Sequence, residues 1–196
     1  RAPDGGYFAS QDADSEGIEG KFFVWTPDEI EAVLGHDAGA DFCAAYGVRR
    51  AGNFEQGKTQ LVDLARRPRS ELAASRAALL EVRSRRVPPG TDRKRVAAWN
   101  ALAISGLARA GSAFGDATML ADAAAAADFM LERMRDGKGQ LLRVYDEGRA
   151  RVPAFLDDHA GLLEACLDLF RAGAGERYFE IALGLANEIA SRFYDE

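Results

Sequence analysis

The sequence predicts an all-α protein that forms part of a ring of helical hairpins, an α-toroid, with a β-hairpin inserted near the N-terminus. Three observations support this prediction. Apolar residues recur with helical spacing from Ser70 onward, the last hundred residues repeat with a fixed offset, and two β-prone segments flank an acidic stretch near the start. We expect a single domain over 1–196, with the β-hairpin at 1–26, short helices and a loop at 27–67, and helical hairpin repeats at 70–193.

The repeat has an offset of 60 residues. This offset aligns Trp99 with His159 and Leu102 with Leu162. Each copy has the pattern of two helices, and a β-prone segment at 139–145 separates the copies. A helical hairpin cannot bury its apolar face alone, so the copies must stack on neighbours or close into a ring. The predicted helices of the two copies lie at about 95–113, 117–135, 157–172 and 176–193.

The chain ends in the middle of this pattern. By the same offset, 195–196 corresponds to 135–136, which directly precedes the β-prone segment of the first copy. The first residue is Arg1 rather than methionine. We therefore expect the chain to be a fragment of a longer protein, and an incomplete ring that exposes apolar helix faces is expected to self-associate.

The N-terminal third has its own local signals. The segments 5–10 and 21–25 are rich in strand-forming residues, and the acidic, glycine-rich stretch 11–20 separates them, which predicts a hairpin with a long loop. Thr26, Pro27 and Glu29 have the spacing of a capping box that begins a short helix. We expect further helices at about 37–46 and 70–86, the latter with an arginine-rich polar face.

Composition limits the classes of function. The formal net charge is −6 and the isoelectric point is about 5.1, which argues against a nucleic-acid binder with a broad basic surface. Neither a membrane-spanning apolar run nor a signal-peptide pattern is found, so we expect no membrane partner. The two cysteines, Cys43 and Cys166, form no CxxC motif and are expected to be free thiols in the cytoplasm.

Several motifs resemble a known family. The longest match runs from Gly5 to Thr26 and contains Gln11-Asp12-Ala13-Asp14-Ser15-Glu16-Gly17. Further matches are Gly52-Asn53-Phe54-Glu55, Asp92-Arg93-Lys94, Ala98-Trp99-Asn100 and Phe155-Leu156-Asp157-Asp158. In order and spacing they resemble the thioredoxin-domain-containing family that includes the spermatogenesis-associated thioredoxin-like proteins of animals and their bacterial relatives.

The resemblance implies a particular architecture. The family pairs an N-terminal thioredoxin-like domain with an (α/α)6 toroid similar to six-hairpin glycosidases and N-acylglucosamine 2-epimerases. This chain would be the central part of that toroid and would lack the thioredoxin domain, which is then its expected partner. Two residues depart from the family pattern: Ala101 stands where glycine is usual, and His159 where tyrosine is usual.

The acidic loop is the first candidate for chemistry. Asp12, Asp14 and Glu16 alternate and Gly17 follows, as in the first half of an EF-hand loop. Phe23 occupies the place of the bidentate glutamate, so a true EF-hand is not expected. The alternatives are a looser Ca²⁺ or Mg²⁺ site, carboxylates that contact a sugar, and an acidic loop whose side chains only shape the turn. Our expectation is substrate binding without a metal ion, and the sequence leaves the question of a cofactor open.

The catalytic candidates begin a predicted helix. Asp157, Asp158 and His159 occupy its first turn, where carboxylates also stabilise a helix as caps and through its dipole. In a toroid such helix starts line the wide mouth, so one of the two carboxylates is a candidate acid or base and His159 a candidate base. The sequence does not distinguish Asp157 from Asp158 in this role.

The equivalent helix start of the first copy supplies the binding candidates. Trp99 and Asn100 combine an aromatic face with an amide, a combination that binds sugars, although Trp99 also fits a core position. Lys94 lies just before them and either contacts the ligand or forms a solvated pair with Asp92.

Two classes of function follow. The first is a carbohydrate-binding or carbohydrate-modifying toroid of the hydrolase or epimerase type, and its second histidine base would have to come from another segment. The second is a non-catalytic scaffold that contacts another protein or the thioredoxin-like domain. Whether the protein is an enzyme is left open by the sequence.

Overall fold

The computed structural model describes residues 1–193, which are mostly helical with small β-sheets. Residues 195–196, which the repeat aligns with 135–136, lie outside the described residues. The α-helices are α1 (Pro27–Leu34), α2 (His36–Tyr46), α3 (Ala73–Ser84), α4 (Ala97–Phe114), α5 (Ala117–Arg133), α6 (Leu156–Arg171) and α7 (Arg177–Phe193). The strands are β1 (Ser10–Gln11), β2 (Asp14–Ser15), β3 (Ile18–Glu19), β4 (Thr91–Asp92), β5 (Arg95–Val96), β6 (Leu142–Asp146) and β7 (Arg149–Pro153), and a 3-10 turn covers Glu55–Gly57.

The chain divides into two compact units. One, the helical-hairpin unit, contains residues 1–10 and the chain from Thr91 onward. The other, the inserted unit, is the continuous segment Gln11–Gly90. The 1–10 segment belongs with helices that follow it by some ninety residues rather than with the acidic stretch next to it.

The inserted unit has a small core between α1, α2 and α3. Thr26 caps α1: its Oγ1 accepts from the Glu29 N–H at 3.2 Å, and the Glu29 carboxylate accepts from the Thr26 N–H at 2.8 Å, which confirms the predicted capping box. The buried apolar side chains of this core are Trp25, Ile30, Phe42, Val48 and Leu79.

The β-hairpin of this unit is not where the sequence placed it. Strands β2 and β3 pair within the acidic stretch, with Ser15 opposite Ile18. Their two-residue turn, Glu16-Gly17, has positive φ at both positions, the geometry that suits a tight hairpin. The predicted pairing of 5–10 with 21–25 is wrong: Trp25 instead pairs with Thr59. The tight turn competes successfully with the longer loop because it needs less chain to close.

The helical-hairpin unit contains the predicted repeat. Helix α4 packs against α5 and α6, and α6 packs against α7. The second helices of the two pairs begin at Ala117 and Arg177, as the offset of 60 predicts. Gly161 of α6 lies close to Ala101 of α4: a Cβ at Gly161 would be 3.1 Å from the Ala101 Cβ. The small residues allow a close approach of these two helices.

A three-stranded antiparallel sheet completes this unit, in the order β5-β6-β7. Arg95 lies opposite Tyr145 and Val144 lies opposite Arg151. The β-prone segment at 139–145 is therefore the first half of a hairpin, whose tight turn at Glu147-Gly148 also has positive φ at both positions. No helix within 1–193 is long and apolar enough to cross a membrane.

Candidate functional site

Asp158 joins the starts of α4 and α6 and is fully buried. Its Oδ1 accepts from the Ala98 N–H at 2.9 Å, and its Oδ2 accepts from the Phe155 N–H at 2.9 Å and from Arg143 at 2.7 Å. The carboxylate therefore satisfies donors at two helix N-termini and pairs with one guanidinium. Neither carboxylate oxygen is exposed, and both are used in contacts within the protein.

His159 is also fully buried. Its Nδ1 lies 2.8 Å from the Phe155 carbonyl, which only accepts, so Nδ1 donates to it. Its Nε2 lies 3.2 Å from Glu188 Oε1, and Arg192 donates to the same Glu188 oxygen at 2.7 Å. Burial raises the pKa of Glu188, but the hydrogen bonds from Arg192 and His159 outweigh it, so its pKa lies below the ordinary value. His159 thus packs α6 against α7, and its role as a base stays a prediction.

Asn100 connects α4 to the N-terminal segment. Its Oδ1 accepts from the Tyr7 N–H at 2.7 Å, and its Nδ2 donates to the carbonyls of Tyr7 at 3.0 Å and Val96 at 3.1 Å. Both amide protons are used and the side chain is buried. Asn100 therefore has no free amide donor for a ligand, and its role in substrate binding stays a prediction.

Two of the predicted residues at the helix starts do face solvent. The Trp99 residue is 55% exposed, so it is not the core residue that its neighbours in sequence also allowed. Asp157 is exposed and lies 3.1 Å from Arg143, the same guanidinium that pairs with Asp158. The Arg143 guanidinium in turn lies 4.8 Å from the centre of the Phe155 ring, and Phe155 is itself exposed.

The other binding candidates have local partners. Lys94 is exposed and pairs with Asp92, with 3.1 Å between Nζ and Oδ2, which matches the solvated-pair alternative. Asp12, Asp14 and Glu16 belong to the inserted unit and are exposed. Asp12 Oδ1 accepts from the Asp14 N–H at 3.4 Å, and Glu16 pairs with Lys21 at 2.7 Å. Within 1–193, no three histidine, cysteine, aspartate or glutamate side chains lie close enough to hold a metal ion.

The sequence did not reveal a cleft of about 550 Å³ in the helical-hairpin unit. We call it the β5–β6 cleft, since Arg95 of β5 and Tyr145 of β6 lie opposite each other in it. Its volume falls within the range of about 300–1,000 Å³ that is typical of small-molecule sites. The cleft is lined by Pro3, Asp4, Phe8, Thr91, Asp92, Arg93, Arg95, Tyr145, Asp146, Glu147 and Gly148.

The wall of this cleft is built around Arg95. The buried guanidinium donates to both Asp4 oxygens, at 2.9 and 2.6 Å. Its carbon lies 5.0 Å from the centre of the Tyr145 ring and 5.4 Å from that of Phe8, so aromatic faces surround the charge. The two hydrogen bonds of this bidentate pair and the ring contacts fix the orientation of Arg95 and Asp4.

The carboxylates of the cleft are set up as acceptors. The hydrogen bonds from Arg95 lower the pKa of Asp4, and the backbone and side-chain hydrogen bonds from Lys94 lower the pKa of Asp92. Both groups are therefore ionised at neutral pH and accept protons in hydrogen bonds rather than donate them. Asp146 pairs with Arg151 at 2.8 Å, whereas Arg93 forms no ion pair with any carboxylate within 1–193.

The chain is similar in sequence to several known proteins. The chain is 30% identical to human spermatogenesis-associated protein 20 and 28% identical to the mouse protein of the same name, in each case over 97% of this chain. It is 27% identical over 98% of its length to an uncharacterised protein of Caenorhabditis elegans. No protein-family model matches the chain.

These relatives fit the family that the sequence motifs resemble. The chain spans only 30% of the human and mouse proteins and 32% of the nematode protein. The similarity therefore concerns one part of much longer proteins.

Proposed function

We propose that the helical-hairpin unit binds a neutral, polyhydroxylated ligand of the carbohydrate class in the β5–β6 cleft. The observation that carries this proposal is the combination of aromatic walls with ionised carboxylates and a guanidinium in one concave site. An aromatic face packs against the apolar C–H face of a sugar ring, and charged groups exchange hydrogen bonds with its hydroxyls.

The geometry of the cleft supports ligand binding more strongly than it supports catalysis. Glycoside hydrolysis needs one carboxyl group that is protonated near neutral pH, together with a second carboxylate. The lowered pKa values of Asp4 and Asp92 suit acceptors of hydroxyl hydrogen bonds rather than that acid. The burial of Asp158 and His159 likewise argues against the acid–base group that the sequence suggested.

The fold supports a finer architectural proposal. In this proposal α4–α7 are two successive hairpins of an (α/α)6 toroid, as in six-hairpin glycosidases, and the longer protein carries a thioredoxin-like domain. The packing of α4 on both α5 and α6, and the offset of 60 residues, support it. A cytoplasmic setting belongs to the same proposal, and the free thiols of Cys43 and Cys166 support it.

The test is saturation-transfer difference NMR with a panel of neutral mono- and oligosaccharides. Arg93→Gln removes an exposed guanidinium from the cleft, and Phe8→Leu removes one aromatic face. We expect each variant to raise the Kd of a bound saccharide about tenfold, which is the usual effect of losing one good polar or aromatic contact. Glu132→Gln, an exposed change on α5 outside the cleft, is the matched control. Absence of binding across the panel contradicts the proposal.

A second candidate is a non-catalytic interaction surface. The exposure of Trp99 and Leu102, three residues apart on one face of α4, and of Phe155 at the N-cap of α6 favours it, because exposed apolar patches mark interaction sites. The partner in this case is the thioredoxin-like domain of the longer protein or a second copy of the chain. Titration of the chain with a separately produced thioredoxin-like domain tests it. Binding that Trp99→Ser abolishes, in a variant that still binds saccharide, supports this second function.

A further inference from the structure

A second concave site lies in the inserted unit, formed by α3 and the segments that pack on it. It is a groove of about 430 Å³, which we call the arginine groove. Its floor consists of side chains of the small core, including Trp25, Phe42 and Leu79. The groove is lined by Trp25, Phe42, Leu61, Arg69, Arg76, Ala77, Leu79, Leu80 and Arg83.

Three arginines provide all the charge along this groove. Arg69, Arg76 and Arg83 follow one another at intervals of seven residues, and Arg76 and Arg83 lie two helical turns apart on α3. Seven positions correspond to nearly two whole turns, so the two helical arginines share one face. No acidic residue lines the groove.

The charges of these arginines are not neutralised within the described chain. Neighbouring arginines have partners: Arg67 pairs with Asp41 and Arg86 lies near Glu29. In contrast, no carboxylate among residues 1–193 lies within ion-pair distance of any of the three groove arginines. An acidic chain that leaves three guanidinium groups unpaired beside an apolar floor has a site complementary to an anion.

The orientation of two of these side chains is fixed before any ligand arrives. Arg76 donates to the Tyr46 hydroxyl at 3.4 Å and to the Arg69 carbonyl. Arg83 packs over Phe22, with its guanidinium carbon 5.5 Å from the ring centre, and its buried Nε has no hydrogen-bond partner. The ring contact and the hydrogen bonds of Arg76 restrict the rotamers of these two side chains, so less conformational entropy is lost when an anion binds.

We propose that the arginine groove binds a small amphipathic anion, whose carboxylate or phosphate head pairs with the arginines and whose apolar body lies on the floor. Guanidinium groups bind both head groups through paired N–H donors. The apolar body gains from contact with the exposed Leu80 and with Leu61 at the edge of the floor. The volume suits a ligand of small-molecule size.

Isothermal titration calorimetry with eight-carbon ligands tests this proposal on the full chain. Octanoate and octyl phosphate share the apolar body and differ in the head group, so their relative affinities identify the head that the groove prefers. We expect saturable binding of at least one anion, and binding of 1-octanol and octylammonium that is weaker by about tenfold or more, since they lack the negative charge. Equal binding of octylammonium and the anions overturns the proposal.

Substitutions locate the binding. Arg76→Gln and Arg69→Gln each remove one guanidinium and are expected to weaken anion binding about tenfold. Arg69 is exposed, so its replacement leaves the fold intact even if changes at Arg76 affect stability. Arg85→Gln is the matched control, because Arg85 follows α3 directly and pairs with Glu81 outside the groove. Equal losses in Arg85→Gln and Arg69→Gln, or no anion binding at all, refute the assignment. Because Arg93→Gln changes the other unit, its effect on saccharides is independent of this result.

Discussion

Replacement of Asp158 by alanine tests the structural role of the buried carboxylate. The change leaves the Ala98 and Phe155 N–H groups at two helix starts without their acceptor. Each loss costs about 1–2 kcal/mol, as for a removed helix cap or an unsatisfied buried donor. Arg143 loses its ion pair with Asp158 but keeps Asp157 as a partner, so the loss of that ion pair adds little to the destabilisation. We expect the free energy of unfolding to fall by about 2–4 kcal/mol, a large part of the roughly 5–15 kcal/mol of a typical domain.

The assay is urea unfolding followed by far-UV circular dichroism, with Asp157→Ala as the matched control. Asp157 is the adjacent carboxylate and pairs with the same arginine, but its side chain is 58% exposed, so its removal is expected to cost less than about 1 kcal/mol. The difference in unfolding free energy between the two variants measures the contribution of the two helix caps separately from that of the ion pair with Arg143. Equal destabilisation by the two substitutions, or a greater effect of Asp157→Ala, refutes the proposed double cap.

Three further predictions concern single side chains. Asn100→Leu removes both bonds to Tyr7, so amide exchange of the Tyr7 N–H should accelerate at least tenfold while α5 keeps its protection; unchanged exchange contradicts this. The lowered pKa of Glu188 means that its stabilisation is present above about pH 4.5 and is lost as pH falls through its folded pKa. The gap in Tm between wild type and Glu188→Gln should therefore narrow from pH 6 to pH 3, and a gap that stays constant over this range contradicts the prediction. Burial raises the pKa of the Cys166 thiol to about 12, so a disulfide reagent at pH 8 should modify it only on unfolding, and rapid labelling of the native chain contradicts that burial.

The sequence predicted those parts of the fold that depend on near neighbours. The capping box at Thr26 needs only residues 26–29, and the helical pairs follow from the spacing of apolar residues and the offset of 60. The position of the hairpin was harder to predict from the sequence, because the tight turn at Glu16-Gly17 and the longer loop both fitted the local pattern of a hairpin. The tight turn closes with less chain, and the segment 21–25 has a different partner, since Trp25 pairs with Thr59.

The candidate site depended on side-chain direction, which turns by about 100° from one position of a helix to the next. Trp99 and Asn100 are adjacent, yet one faces solvent and the other is buried against Tyr7. Asp157 is likewise exposed, whereas the adjacent Asp158 is buried. The only available sequence signal was the helical period: Asn100, Ile104 and Ala108 lie on one buried stripe, and the exposed Trp99 and Leu102 flank it.

The β5–β6 cleft had no local signal at all. It combines Asp4, Arg95 and Tyr145, which are far apart in the chain and meet only because the N-terminal segment and the β-sheet belong to one unit. An arginine that precedes a predicted helix and an aspartate in an N-terminal segment are each ordinary in a sequence. Their bidentate pairing follows from tertiary structure alone.

The most direct test of carbohydrate binding maps the ligand onto the chain. Two-dimensional ¹⁵N–¹H NMR spectra of the labelled protein are recorded during titration with the best saccharide of the panel. Our account predicts saturable shifts at cleft residues such as Phe8, Arg93 and Glu147, with little change at Trp99 and Phe155. Shifts confined to Trp99 and Phe155, or no saturable shifts, would contradict it.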